Sequence, residues 1–132
     1  AWTVASPNAA LMEFSPVKLS FLKSINGEVT EEKHDLSTDL QSSIIALMKP
    51  ETWRIYPYPA YIFSLYYDYK FTDNQGHVIY ISDYSTLNPE LDMTTIRVVD
   101  LNPDGAKDLF YMAPRSIIQD LKALLEPIYP KQ

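Results

Sequence analysis

The sequence predicts an α+β domain: a mostly antiparallel sheet of four to five strands with two helices packed on one face. Three observations carry this. The stretch 60–84 holds two strand-like runs around Asp73-Asn74-Gln75-Gly76, a hairpin turn sequence. Two segments, 39–48 and 117–125, carry apolar residues at helical spacing. Each of those segments is bounded by a proline.

The 132 residues fit one domain, with 46% hydrophobic and 21% charged residues, so a continuous core is expected and disorder is not. Residues 1–16 read as an irregular N-terminal arm, broken by Ser6-Pro7 and Ser15-Pro16, and residues 17–132 as a single α+β domain. Val17, Leu19 and Phe21 alternate with Lys18 and Ser20, a strand signal. Leu22 and Ile25 shift that pattern, which suggests a bulge near Phe21-Leu22. Asn26-Gly27 marks a turn into a short return strand at Glu28-Val29-Thr30.

The acidic run Glu31-Glu32-Lys33-His34-Asp35 reads as a solvated loop before a helix. Thr38 with Gln41 three residues later fits a capping box. Leu40, Ile44, Leu47 and Met48 then form one stripe that ends before Pro50. Residues 51–59 hold Trp53, Ile55, Tyr56 and Tyr58, interrupted by Pro57 and Pro59, so they read as an extended edge. Trp53 is expected to pack under the first helix. Residues 94–101 are rich in β-branched side chains and read as a strand. Asn102-Pro103-Asp104-Gly105 is a type I turn sequence, followed by a short strand at 109–112. Pro114 opens the last helix, whose stripe is Ile117, Ile118, Leu121, Leu124 and Leu125, and Pro127 closes it.

The 60–84 hairpin has a preferred register. A type I turn with Gly76 in the left-handed position pairs Phe71 with Ile79, Tyr69 with Ile81, Lys70 with Tyr80 and Asp68 with Ser82. Tyr61, Phe63, Leu65, Tyr67, Tyr69, Phe71, Ile79 and Ile81 then share an inner face. Slipping by one residue would send an apolar row to each face, so the first register segregates better. The outer face holds Tyr66, Asp68, Lys70, Tyr80, Ser82 and Tyr84, and these are the candidate ligand-binding residues. Tyrosines with hydroxyl tips give contact area at low entropic cost. The bland counterpart is a solvated face whose rings cover their cross-strand neighbours.

The charge and composition narrow the chemistry. A net charge of −6, with basic residues scattered singly, argues against a nucleic-acid partner and suits a basic protein. The chain has no cysteine, which removes disulfides, thiolate nucleophiles and Cys-based metal sites. Two histidines leave no usual zinc set, and 31–35 matches no ligand spacing, so no metal and no cofactor are expected. Three isolated glycines make no phosphate loop. His77 near Asp73, with Ser82 or Ser85, draws a Ser–His–Asp set that nothing in the sequence positions. Asp68 and Asp83 are a carboxylate pair for glycoside hydrolysis, but the preferred register separates their faces. No apolar run approaches the ~18 residues of a membrane span.

The expected function is a non-catalytic binding or interaction module, recognising a protein or peptide through the tyrosine-rich sheet face. The alternatives are a carbohydrate- or small-ligand-binding domain and, behind it, a small hydrolase. The opening Ala1-Trp2-Thr3, the Tyr- and Asn-rich strands and the absence of cysteine lean toward an extracytoplasmic, exported bacterial setting.

Overall fold

The computed structural model describes residues 13–55, 67–83, 93–99 and 108–128. Strands β1 (Lys18–Ile25) and β2 (Glu28–Asp35) form a hairpin, followed by helix α1 (Thr38–Met48) and a single 3₁₀ turn, Pro50–Thr52. After β3 (Arg54–Ile55), strands β4 (Tyr69–Thr72), β5 (Val78–Asp83), β6 (Met93–Val99) and β7 (Asp108–Pro114) run as a meander into helix α2 (Arg115–Leu125). The sheet order is β2-β1-β4-β5-β6-β7-β3, and every pairing is antiparallel. The α+β architecture is as expected, with seven strands among the described residues in place of four or five.

The additional strands have a physical origin. Asn26 and Gly27 both take positive φ, 52° and 81°, the twist a two-residue hairpin needs. That turn sets one unbroken register from Ile25↔Glu28 to Lys18↔Asp35. The return strand therefore runs through Glu31–Asp35, where a solvated loop is expected from the sequence, and β1 carries no bulge at Phe21-Leu22. At the other rim, Arg54 and Ile55 pair with Met112 and Tyr111 of β7 as the extended edge. Residues 56–59, the inner-face positions Tyr61, Phe63 and Leu65, and the 102–105 turn lie outside the described residues, as do residues 1–12 of the arm. At the arm's described end Pro16 is buried and Phe14 packs against the core.

One side of the sheet is the core. Leu19 and Phe21 from β1, Tyr69 and Phe71 from β4, and Ile79 and Ile81 from β5 are buried. Ile96 and Val98 from β6 and Tyr111 from β7 continue the same layer. Against it lie Ile44 and Met48 of α1 and Ile117, Ile118, Leu121 and Leu125 of α2. Each buried aliphatic side chain of that kind contributes about 1.5–3 kcal/mol. Trp53 is buried beneath the end of α1, and its indole N–H donates to the Met48 carbonyl at 2.8 Å, satisfying one of the helix's orphan acceptors.

The helix ends follow local chemistry. Ser37 caps α1, its hydroxyl accepting the Leu40 N–H at 3.2 Å. The cap thus falls one residue before the expected Thr38, and the Gln41 side chain donates to the Leu36 carbonyl instead of closing a box. Lys49 leaves the helix in the left-handed conformation, φ 45°, ahead of Pro50. At α2 the flanking residue Pro114 has no side-chain cap to offer. Thr94 of β6 supplies one from across the sheet: its hydroxyl donates to the Pro114 carbonyl at 2.9 Å and accepts the Ile118 N–H at 3.2 Å.

The β4–β5 hairpin has the register read from its turn: Tyr69↔Ile81, Lys70↔Tyr80 and Phe71↔Ile79. Gly76 takes φ 87°, and the Asp73 carboxylate holds the loop. Its Oδ1 accepts the Gln75 and His77 N–H groups at 2.9 and 2.8 Å, and its Oδ2 lies 2.8 Å from His77 Nδ1. Burial works to raise the Asp73 carboxyl, but the His77 ring and these two amides outweigh it, and the group titrates below its usual range.

Two outcomes are expected. Thr94→Val removes the bridging hydroxyl at constant shape and lowers the unfolding free energy by about 1–2 kcal/mol, measured by urea denaturation. Asp73→Asn costs about 1 kcal/mol at neutral pH. Because the folded carboxyl is depressed, its contribution is fully present above the ordinary carboxylate range of about 4 and disappears as pH falls through the folded value. The gap between the urea midpoints of wild type and Asp73→Asn therefore narrows on acidification.

Candidate functional site

The face of the sheet opposite both helices carries the candidate site, and a break at Asp68 shapes it. The β4–β5 ladder ends at Tyr69↔Ile81. The Asp68 N–H still donates to the Ile81 carbonyl, at 2.9 Å, so two residues oppose one as in a bulge. The Asp68 carboxylate turns inward along the chain and accepts the Asp83 N–H at 2.7 Å. The break moves the preceding residue to the other side of the sheet. Tyr67, expected on the inner face with Tyr69, stands on the outer face against Tyr80, with ring centroids 5.0 Å apart. This is a correction to the sequence reading: alternation from Phe71 holds back to Tyr69 and then skips.

Tyr80 is the centre of the group. Its direct cross-strand neighbours are Lys70 on β4 and Arg97 on β6. Lys70 Nζ lies 5.9 Å from the Tyr80 ring centroid and the Arg97 guanidinium carbon 5.3 Å, both over the ring. Glu31 of β2 closes the group on the other side. Its Oε2 accepts the Tyr67 hydroxyl at 2.7 Å and lies 3.5 Å from Lys70 Nζ, and its Oε1 lies 3.8 Å from Lys33 Nζ. Partial burial works to raise the Glu31 carboxyl, but the Tyr67 hydroxyl and the Lys70 and Lys33 ammoniums outweigh it, and the group titrates below its usual range. Burial, then the Glu31 carboxylate, push the Tyr67 phenol well above the ordinary tyrosine range.

Of the six residues expected to form the site, Lys70 and Tyr80 belong to this group and are half-buried. Asp68 borders it, with one carboxylate oxygen on the Asp83 backbone. Ser82 is only 6% exposed and offers little surface. Tyr66 and Tyr84 lie outside the described residues. The sequence reading missed Glu31, Tyr67 and Arg97. Strong alternation through 94–98, read together with the hairpin register, was the available signal for Arg97.

The other chemical constellations take different forms. Asp83 is 2% exposed, with Lys122 Nζ at 3.2 Å and Arg115 Nη2 at 3.6 Å, so its carboxylate ties α2 to the end of β5. Asp68 and Asp83 do lie close, but they meet carboxylate to backbone amide instead of flanking a cleft. Asp73 and His77 form a dyad, and Ser82 lies five residues further along β5, roughly 16 Å away at strand rise. Ser85 lies outside the described residues. A cavity of about 160 Å³ at the end of α1 is lined by Phe14, Ile44, Met48, Trp53 and Phe71, with Lys49 and Glu51 beside it. Among the described residues no group of three His, Cys, Asp or Glu converges as a metal site. Among the same residues no helix is long and apolar enough to cross a membrane.

No protein-family model, no curated protein and no solved structure matches this chain.

A double-mutant cycle checks the geometry of the group. Tyr67→Phe and Glu31→Gln are each expected to cost under about 1 kcal/mol, with a coupling of about 0.5 kcal/mol read from urea midpoints at neutral pH. An additive pair would separate Tyr67 from Glu31.

Proposed function

We propose that this protein is a non-catalytic binding module that recognises a protein or peptide through the outer face of its sheet. The observation that carries the reading is the Tyr67–Tyr80 pair, held with Lys70 and Arg97 on the face opposite both helices. Tyrosine and arginine on a rigid strand surface are the residue types that dominate recognition energy, because little side-chain freedom remains to be lost. Cross-strand neighbours already fix Tyr80 on both sides, so the surface is organised before contact.

The alternatives have less support. Stacking of a sugar on Tyr80 competes with the two cations over its ring. Hydrolysis needs acids around an open cleft, and the Asp83 carboxylate is buried against Lys122 and Arg115.

The test is Tyr80→Ala with the whole chain used as bait against a peptide display library. Selected peptides should bind wild type and lose about tenfold or more in affinity to Tyr80→Ala, while the variant's thermal midpoint falls by only a few degrees. Peptides that bind both proteins equally, or a variant that no longer folds together with a Tyr67→Ala variant that folds and binds normally, would remove the outer face from the function.

A further inference from the structure

The cavity at the end of α1 lies on the helix-covered side of the sheet, away from Tyr67 and Tyr80. Its walls include Phe14, Ile44, Met48, Trp53, Phe71 and Ile79. All of these except Phe14 are buried, so the cavity reaches into the core. Exposed residues of α1 and the turn after it, among them Ala46, Lys49 and Glu51, mark its mouth. The wall is fixed by the chain's own hydrogen bonds. The Trp53 indole N–H is held on the Met48 carbonyl at 2.8 Å, so the ring stays out of the space. The Lys49 carbonyl accepts the Thr52 N–H at 2.9 Å and the Thr52 hydroxyl at 2.8 Å, and the Pro50 carbonyl accepts the Trp53 N–H at 3.1 Å. Three successive acceptors are thus engaged, and the apolar walls decide what fits.

We propose that this cavity binds a small neutral aromatic compound, a single ring with at most one small polar substituent at the mouth. The size fits: the space is about 160 Å³, and a protein cavity of roughly 150 Å³ with aliphatic and aromatic walls takes up benzene. The charge fits as well. Lys49 and Glu51 place one charge of each sign at the mouth, so an ion of either sign meets repulsion along with attraction. A protein partner fits less well, because it needs continuous contact area around its anchor. Ile45, also in the lining, is the one large hydrophobic side chain exposed among the described residues. Its exposed neighbours one helical turn away, Ser42 and Lys49, are polar. The site lies apart from the outer face, so the inference does not rest on that face being a recognition surface.

The experiment is an NMR titration of the full chain with benzene, benzoate and benzylammonium, observed at the Ile44 and Met48 methyl groups. Benzene is expected to shift both methyls saturably, with a midpoint at about 1 mM or below, and to give nuclear Overhauser contacts to them. The two ions are expected to bind about tenfold more weakly. Ala46→Phe, at an exposed helix position in the lining, is expected to obstruct the mouth and weaken benzene about tenfold. The wild-type contacts locate the ring even if that variant does not fold. No saturable shift in wild type, or benzene binding unchanged in a folded Ala46→Phe, would overturn the inference. Tighter binding of either ion would overturn a neutral ligand. Contacts from Trp2 or Leu11 to the same methyls in the ligand-free chain would make the N-terminal arm the occupant and overturn a small-molecule site. Displacement by benzene of a peptide selected on the chain would make the occupant a polypeptide side chain, with the same consequence.

Discussion

Burial of one sheet face under two helices is the constraint on which the rest of the structure depends. The inner layer runs from Leu19 and Phe21 through Tyr69, Phe71, Ile79 and Ile81 to Ile96, Val98 and Tyr111. Such a layer is stable only when covered, and α1 and α2 present Ile44, Met48, Ile117, Ile118, Leu121 and Leu125 to cover it. Alternation along each strand then dictates what stands on the other side. Lys70, Tyr80 and Arg97 are where they are because Tyr69, Phe71, Ile79, Ile81, Ile96 and Val98 are inside.

Asp68 is the joint between this core and the outer group. Its amide stays on the Ile81 carbonyl while its side chain takes the Asp83 amide, so one residue is dropped from the alternation and both of these N–H groups keep an acceptor. Tyr67 crosses to the outer face as a result. The neighbouring residue Asp83 is held by Lys122 and Arg115 of α2. Two adjoining carboxylates thus have different tasks, one bonding backbone at the strand's break and one fastening the helix.

Much of this was legible in the residues. Turn chemistry and segregation together gave the β4–β5 register, because a single slip would have put charges opposite isoleucine. Pro114 and a 3.6-residue stripe gave α2. Strand β2 was not legible, since Glu31, Glu32, Lys33, His34 and Asp35 show no apolar alternation; the Asn26-Gly27 turn and pairing to β1 make it a strand. The position of Tyr67 depends on a bulge whose cause is a side chain accepting a bond from fifteen residues away. Glu31 and Arg97 reach Tyr67 and Tyr80 only through the sheet order, which local pattern does not contain. The Ser37 cap differs from Thr38 by one residue because both can accept the bond and the Leu36 contact with the core decides between them.

The rim formed by β2 has a consequence for self-association. Along it, Glu31, Lys33 and Asp35 alternate with Glu32 and His34, so both sides of the outermost strand carry ionisable groups. Another molecule extending the sheet from this border would have to strip water from these groups and align like charges beside one another. Fibril-like stacking of identical copies is disfavoured there, and the molecule can display a rigid aromatic surface without growing from its own margin.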